Sequence, residues 1–291
     1  IRLASWTFIF VLISQLGFLA TVNLATRAGI AAEAAGINFG VGYTPYANAY
    51  LVLLLPHSIV TISIVTATLP RLSTLVLDKK LDEVRGLLSS ALRYVGIVTV
   101  PASLFFLLFG GLVAESIFFG IAEESALYIG RVLSAMALGL IPLSINLILI
   151  RGLNAFENTK YQVASNVVIN VVAVGLSLVA YFSLDSADVT YGLALAFTVS
   201  YWLGIITTYL LTKRYTGALE IAKLAGFYFK VGAAALIAVV CVAFVADRLI
   251  LPGNVLSLFG VLLATLLIYV FVARAMKISE VGQTIKVLLR R

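Results

Sequence analysis

The chain has 291 residues, of which 62% are hydrophobic and only 11% are charged, and its mean hydropathy is +1.10. Since a soluble domain carries about 25% charged residues, this composition excludes a soluble enzyme, a nucleic-acid-binding domain and a disordered chain. The net charge of +7 therefore indicates loops at a membrane surface and not a nucleic-acid partner.

Eight stretches of the chain are long and apolar enough to cross a bilayer, which takes about 20 mostly apolar residues in a helix. They contain no Asp, Glu, Lys or Arg, apart from Lys230 near the start of the seventh. They do not alternate polar and apolar residues, which argues against a β-barrel. We therefore predict an all-α, polytopic integral membrane protein with spans at 3–26, 34–70, 94–114, 132–150, 161–184, 189–212, 224–246 and 249–273.

The basic residues fall almost entirely on one side of this arrangement. Eight spans put both ends of the chain on the same side, and 17 of the 20 Lys and Arg residues lie there too. Because an excess of Lys and Arg marks cytoplasmic loops, both ends are predicted to be cytoplasmic. The chain opens at Ile1 in an apolar stretch without a signal-peptide pattern, so we expect a piece of a longer protein.

Two segments outside the spans are amphipathic. Residues 71–90 and 278–291 carry apolar side chains at helical spacing among basic ones. We expect both to lie along the cytoplasmic membrane surface, where their basic residues would attract anionic headgroups. The alternative is that they are ordinary basic cytoplasmic loops.

Polar side chains inside the spans are few, and no Asp or Glu lies in the middle of a span. Asn166 and Asn170 are one turn apart on the fifth span, where they either ligate a cation or hydrogen-bond neighbouring helices, the commoner role. His57 either titrates and gates transport or forms an interhelical hydrogen bond. Pro56 frees backbone carbonyls in the second span, which we therefore predict to line a cavity.

Two sets of side chains are the candidate binding residues. Polar groups in or beside the spans are the candidate substrate-cavity residues: Asn23, Asn48, Tyr50, His57 and Asn146. Basic residues at the cytoplasmic ends of spans are the candidate headgroup or loop contacts: Arg71, Arg93, Arg151 and Lys160.

Catalytic and metal-binding patterns are missing from the sequence. The single His57 and the single Cys241 exclude a multi-His or Cys-based metal site. No acidic residue near His57 could complete a catalytic triad, and the sequence has no Walker loop, HExxH or GxSxG motif. We predict a transporter or a membrane scaffold without a cofactor, and not an enzyme.

Four segments carry motifs that matter most in combination. They are PHSIV at 56–60 leading to LPRLS at 69–73, Leu92-Arg93 followed by Pro101, RGLNAFENTK at 151–160, and Ser14-Gln15 with Asn23. At this spacing they resemble helices seven to fourteen of the lipid II flippase (MurJ/MviN-like) family. The resemblance covers essentially the whole chain.

The resemblance implies two lobes that rock around a central cavity in alternating access. Residues 1–213 would form the second six-helix lobe, 214–276 a helical pair that shapes a groove for a lipid tail, and 277–291 a basic cytoplasmic tail. The first six-helix lobe would be missing from this chain. The implied function is transport of lipid II, a polyprenyl-pyrophosphate-linked peptidoglycan precursor, across the bacterial cytoplasmic membrane.

Some features of the family pattern are absent, and other functions stay open. Leu51 and Leu54 stand where family members commonly carry an arginine and an acid, and Tyr161-Gln162 replaces Thr-Pro. The driving force would be a monovalent cation or the membrane potential, and membrane lipids and cell-wall synthesis proteins are further expected partners. The alternatives are a related superfamily exporter (a polysaccharide-lipid flippase or a drug/cation antiporter) and a non-transporting scaffold for cell-wall synthesis proteins.

Overall fold

Helices make up the regular secondary structure of the described residues. The computed structural model describes residues 2–156, 159–249 and 254–283, and contains no strand in these ranges. This confirms the predicted all-α class. The elements are α1 (Arg2–Ala34), α2 (Tyr43–Pro56), a π-helical turn (His57–Thr61), α3 (Ile62–Leu77), α4 (Leu81–Ile117), α5 (Glu123–Ala137), α6 (Leu140–Ala155), α7 (Thr159–Ser183), α8 (Ser186–Thr216), α9 (Ile221–Leu249) and α10 (Val255–Ala275).

Seven helices in the described part of the chain are long and apolar enough to span a membrane. One of them, Tyr43–Leu77, joins α2, the π-helical turn and α3. The pair α5 and α6 makes an eighth span if it is counted as one, although it bends by 48°. The chain is therefore a multi-pass membrane protein with seven or eight candidate spans, against eight predicted, and the fourth predicted span is bent into two helices.

A proline explains the break in the fourth span. Pro142 has no N–H to donate to the carbonyl of Leu138, four residues earlier. The indole of Trp202 on α8 donates to that carbonyl instead, with Nε1 3.2 Å from the oxygen. The bend between α5 and α6 thus lies next to a proline, and a side chain of α8 donates to the carbonyl that the proline leaves without a helical donor.

Close approach of helices depends on small residues. A Cβ at Gly130 on α5 would lie 2.6 Å from the backbone oxygen of Gly110 on α4, so only glycine fits this crossing. A Cβ at Gly204 on α8 would clash with the side chain of Ile169 on α7. Since lipid is as apolar as a helix surface, such close van der Waals packing replaces the hydrophobic effect in holding membrane helices together.

Residues 71–90 do not form a separate surface helix, so that prediction is wrong. They are the end of α3 and the start of α4, joined by a turn in which Lys79 has a φ of 58°. The apolar residues Leu72 and Leu88 are buried in one cluster with Leu149 of α6. The amphipathic pattern therefore reflects packing against α6 and not a face turned to lipid.

The pair α9 and α10 packs on α4, which connects it to the other helices. Phe227 and Val231 of α9 and Tyr269 of α10 are buried with Ile97 and Val100 of α4. In the tail, Ile278 and Val281 join the same buried cluster. Residues 284–291 of the predicted tail lie outside the described residues.

Contacts between helix ends bring the loops with most basic residues to one end of the molecule. Arg85, at the start of α4, donates through Nη1 to the backbone oxygen of Thr216, at the end of α8, at 2.8 Å. Phe156 and Tyr161, on either side of the α6–α7 connection, lie 5.6 and 5.3 Å from the ring of Tyr215. This agrees with the predicted sharing of one side by these loops. That this side is cytoplasmic stays a prediction.

Candidate functional site

An apolar groove of about 610 Å³ lies between α2, α4 and α10. Its walls include Leu55 and Pro56 of α2, Val98 and Phe105 of α4, and Leu262 and Leu266 of α10. The groove is therefore shaped by the helical pair, by the second span and by the long helix α4 together.

A proline also determines how the groove is closed on one side. Pro101 in α4 cannot donate to the carbonyl of Ile97. The Tyr269 hydroxyl of α10 donates to that oxygen at 3.0 Å. All three residues line the groove, so the bond that replaces the missing helical one also fixes α10 against α4.

The polar groups in the groove wall are already paired. Tyr269 bonds to Ile97, and Thr265 donates to the backbone oxygen of Val261 at 2.7 Å. With these groups satisfied, the wall presents hydrocarbon to any occupant. Such a wall suits an alkyl or isoprenoid chain and offers no attraction to a charged group.

The second span changes from an α-helix to a π-helical turn directly after Pro56. Single π-turns within α-helices often mark functional sites. Pro56 lies on the groove, whereas His57 is buried and its Nδ1 lies 2.9 Å from Oγ of Ser144 on α6, within hydrogen-bond distance. This geometry is the interhelical alternative of the two considered for His57. A gating role for it stays a prediction.

Apolar residues of the second span line this groove, whereas lining of a substrate cavity by its polar residues stays a prediction. Val52, Leu55 and Pro56 face the groove. Tyr50 is half-buried and packs edge-on against Phe197 of α8, with ring centroids 5.7 Å apart. The apolar side chains of this span thus contact the groove, while the Tyr50 ring contacts α8.

The candidate residue Asn146 is buried in a hydrogen-bonded group inside the bundle. Its Oδ1 accepts a bond from the Thr208 hydroxyl on α8 at 2.5 Å. Thr208 also contacts the Ser165 hydroxyl of α7. Three helices therefore share one set of polar groups, which is a common way of holding helices together in a membrane.

The two asparagines of the fifth span also bond to protein. Asn166 Nδ2 donates to the backbone oxygen of Phe10 at 3.0 Å and to the Ser14 hydroxyl at 2.9 Å, both on α1. Asn170 Nδ2 donates to Asn166 Oδ1 at 2.7 Å. The side-chain oxygen of Asn170 lies where a Cβ at Gly17 would be. These contacts favour helix packing, and cation ligation by the pair stays a prediction.

Two further cavity candidates are more accessible. Asn23 is exposed on α1, and Asn48 is half-buried on α2. Leu51, where the family commonly carries an arginine, is 63% exposed on α2. The described residues do not fully cover these positions, and their place in a central cavity stays a prediction.

The basic candidates lie at the same end of the molecule but in different surroundings. Arg71 and Lys160 are exposed, and Lys160 lies over the ring of Tyr161 at 4.9 Å. Arg151 is half-buried, with an Nε that has no hydrogen-bond partner among the described residues. Arg93 forms an ion pair with Glu280, with Nη1 2.9 Å from Oε1. The structure does not bring the four together into one site.

Three further residues shape these sites and are not among the candidates from the sequence: Thr208, Tyr269 and Glu280. One signal was available for Thr208, which belongs to a series of threonines at 208, 212 and 216 with the four-residue spacing of one helix face. No local pattern marks the others, because their partners are distant in the sequence.

In the described part of the chain, no group of three or more His, Cys, Asp or Glu side chains comes close enough to hold a metal ion. The site therefore consists of an apolar groove, a polar interior that is mostly satisfied, and a basic end.

The comparison with known families decides the identity of the chain. The family model described as "Lipid II flippase MurJ" matches residues 1–271. The chain belongs to this family. A solved structure described as "Lipid II flippase MurJ, inward closed conformation" superposes with a TM-score of 0.71 at 19% sequence identity, over 93% of this chain and 52% of that one. The two share a fold, and the chain spans about half the length of that MurJ structure.

Proposed function

We propose that this chain is the C-terminal part of a transporter that moves lipid II across the bacterial cytoplasmic membrane by alternating access. The observation that carries the proposal is the match of residues 1–271 to the MurJ family. The remainder of the transporter supplies the N-terminal lobe, and the two lobes rock against each other around a central cavity. Both ends of this chain lie in the cytoplasm, because 17 of its 20 basic residues lie on that side.

The groove between α2, α4 and α10 holds the polyprenyl tail in this proposal. Its apolar lining, which includes Leu55, Val98 and Leu262, supports this role. The membrane is as apolar as the groove, so the tail gains little from the hydrophobic effect on entering it, and binding depends on close fit. A side chain that fills the groove should therefore weaken tail binding, whatever its polarity.

The polar head moves through the central cavity between the lobes. Asn23, Asn48 and Tyr50 are the residues of this chain that we propose to line it. A pyrophosphate is best met by arginine, which binds phosphate through two parallel hydrogen bonds. Since Leu51 occupies the position at which the family commonly carries an arginine, we expect the N-terminal lobe to supply most of the positive charge.

Complementation tests the proposal. Cells depleted of their own lipid II flippase would receive the intact protein, with the N-terminal lobe present, and growth would be followed together with lipid II at the outer surface. Rescue of both is the expected result. A protein that is expressed and inserted but restores neither would contradict the proposal.

The same cells distinguish the alternatives. A scaffold would restore growth even when Leu262→Trp fills the groove, because it does not transport the lipid. A related exporter would leave lipid II inside while moving another lipid-linked saccharide or a drug.

A further inference from the structure

A polar pocket of about 290 Å³ lies at the basic end, between the start of α4 and the segment that follows α10. Its walls include Ser89, Ser90, Arg93 and Tyr94 on one side and Glu280 and Gln283 on the other. Two bonds hold these walls together: Arg93 with Glu280 at 2.9 Å, and the Tyr94 hydroxyl donating to Gln283 Oε1 at 2.8 Å. The pocket is thus built by two elements that are far apart in the sequence.

The arginine of this pocket is held in place but is not fully paired. Arg93 donates through Nη1 to Glu280, and the guanidinium carbon of Arg93 lies 5.6 Å from the centre of the Phe227 ring. Its Nε is buried and has no hydrogen-bond partner among the described residues. A buried N–H without an acceptor is rare in proteins and often marks an ion, water or ligand that completes it.

The pocket and the apolar groove are lined by neighbouring residues of the same two segments. Tyr94 lines the pocket, and Val98, one helical turn further along α4, lines the groove. Glu280 lines the pocket and the next residue, Val281, lines the groove. Arg93 directly precedes the predicted apolar span, so the pocket lies at the depth of lipid headgroups. A molecule that occupies both sites has a polar head and an apolar chain.

Charge and size narrow the occupant further. The pocket wall carries one cationic and one anionic side chain, Arg93 and Glu280, and so has no net charge. Its volume of about 290 Å³ is at the lower end for small-molecule pockets, about 300–1,000 Å³. That size suits a small headgroup, whereas the saccharide and peptide head of lipid II is larger. A head with both a phosphate and an ammonium group matches the two charges.

We propose that this pocket binds a membrane phospholipid with a phosphoethanolamine headgroup, whose phosphate meets Arg93, whose ammonium meets Glu280 and whose acyl chain enters the apolar groove. This goes beyond the proposed transport function, since the lipid is a resident of the groove mouth and not the cargo. It also gives the groove an occupant when no substrate tail is present.

Native mass spectrometry of the purified intact protein tests the proposal. The protein would be incubated in detergent with equal amounts of dioleoyl-phosphatidylethanolamine and dioleoyl-phosphatidylglycerol, and the retained lipid identified. The wild type should retain the ethanolamine lipid in preference by about tenfold. Glu280→Gln leaves a pocket with a net positive charge, so the preference should shift to the anionic glycerol lipid.

Matched variants separate binding from folding. Glu220→Gln removes an equivalent carboxylate from an ion pair with Lys223 that is exposed on both sides, and should leave the lipid preference unchanged. Ser89→Leu fills the pocket while keeping the Arg93–Glu280 pair, and should lower retention of both lipids. Should Glu280→Gln fail to fold, Ser89→Leu and its control Glu220→Gln still decide the question.

Two results would overturn the proposal. One is a wild type that retains both lipids equally, or a lipid ratio that Glu280→Gln does not change. The other is displacement of the lipid by soluble phosphoethanolamine at equal concentration, which would indicate a site for a free phosphate compound and not for a lipid. The experiment measures lipid retention and not transport. A failure of the phospholipid proposal can therefore be distinguished from a failure of the proposed lipid II transport.

Discussion

The Tyr269 hydroxyl donates a hydrogen bond to the backbone oxygen of Ile97, 172 residues away in the sequence, at 3.0 Å. The acceptor is available because Pro101 cannot form the helical bond to it. In hydrocarbon an unpaired carbonyl costs several kcal/mol. The proline of α4 thus creates the attachment point for α10, and the two together form one side of the groove.

Removing this hydroxyl should destabilise the protein more than removing a comparable one. Tyr269→Phe leaves the Ile97 carbonyl without a donor and should cost about 1–3 kcal/mol. Tyr228 is the matched control, because its hydroxyl bonds to the Leu92 oxygen at 2.8 Å and that carbonyl can also be reached by the N–H of Gly96. Tyr228→Phe should therefore cost less. Thermal unfolding in detergent would measure both.

A double-mutant cycle identifies the cause. Pro101→Ala restores a backbone N–H that can donate to Ile97, so Tyr269→Phe should cost less in that background. An equal cost of Tyr269→Phe with Pro101 and with Ala at 101 would show that the tyrosine acts by packing alone.

The bond between His57 and Ser144 should contribute to stability in a similar way. Ser144→Ala leaves a buried imidazole nitrogen unpaired, and the expected loss is about 1–3 kcal/mol. Ser58→Ala is the control, since Ser58 is the exposed neighbour of His57 on the same turn. The thermal midpoint of the intact protein measures both variants. A Ser144→Ala protein as stable as Ser58→Ala would contradict the interhelical role.

Asn166 should join α7 to α1 through its two bonds. Asn166→Ala is expected to cost about 0.6 kcal/mol and at most about 1.7 kcal/mol, the average and the maximum measured for interhelical hydrogen bonds in a membrane protein. Asn23→Ala, at an exposed position of α1, should change stability little. The unfolding midpoint would be compared in sodium and potassium buffers. A loss of stability that appears in only one of the two buffers would favour cation ligation by Asn166 over helix packing.

The eight apolar runs could be predicted from the sequence because the thickness of a bilayer sets a length that few soluble segments reach. The clustering of basic residues similarly predicted which loops lie at the same end of the molecule. The contact between Arg85 and Thr216 agrees with that prediction. These features depend on composition over about 20 residues and not on the identity of any one partner.

The partners of the prolines could not be predicted. A proline shows which carbonyl loses its donor, but not which distant side chain replaces it. Trp202 for Leu138 and Tyr269 for Ile97 are known only once the helices are packed. For the same reason the apolar residues that the second span presents to the groove could not be predicted, and its lining of a central cavity stays a prediction.

The ion pair between Arg93 and Glu280 should make stability depend on pH in the acid range. Partial burial raises the pKa of Glu280, but hydrogen bonds from Ser279 and Arg93 outweigh it and hold the pKa below its usual value. The stabilisation is therefore complete above the pKa of the unfolded chain, about 4.3. It is lost as the pH falls through the lower pKa of the folded state.

The thermal midpoints of wild type and Glu280→Gln would be compared between pH 7 and pH 3.5. A difference equivalent to about 1 kcal/mol is expected near neutrality, since the side chain of Arg93 is 31% exposed and that of Glu280 12%. The difference should shrink towards the acid end, as the carboxylate begins to be protonated. A constant difference over the whole range would contradict the role of the carboxylate charge.

The assignment of the groove to the lipid tail is tested most directly by filling the groove and measuring the rate at which lipid II reaches the outer surface. Leu262→Trp places an indole in the groove, while Leu263→Trp adds the same bulk one residue away, at a side chain that is 57% exposed outside the groove wall. In the intact protein, we predict that Leu262→Trp lowers the rate by about tenfold, or 1.4 kcal/mol, and that Leu263→Trp leaves it close to wild type. Equal rates for the two variants at equal expression would contradict the assignment of the groove to the lipid tail.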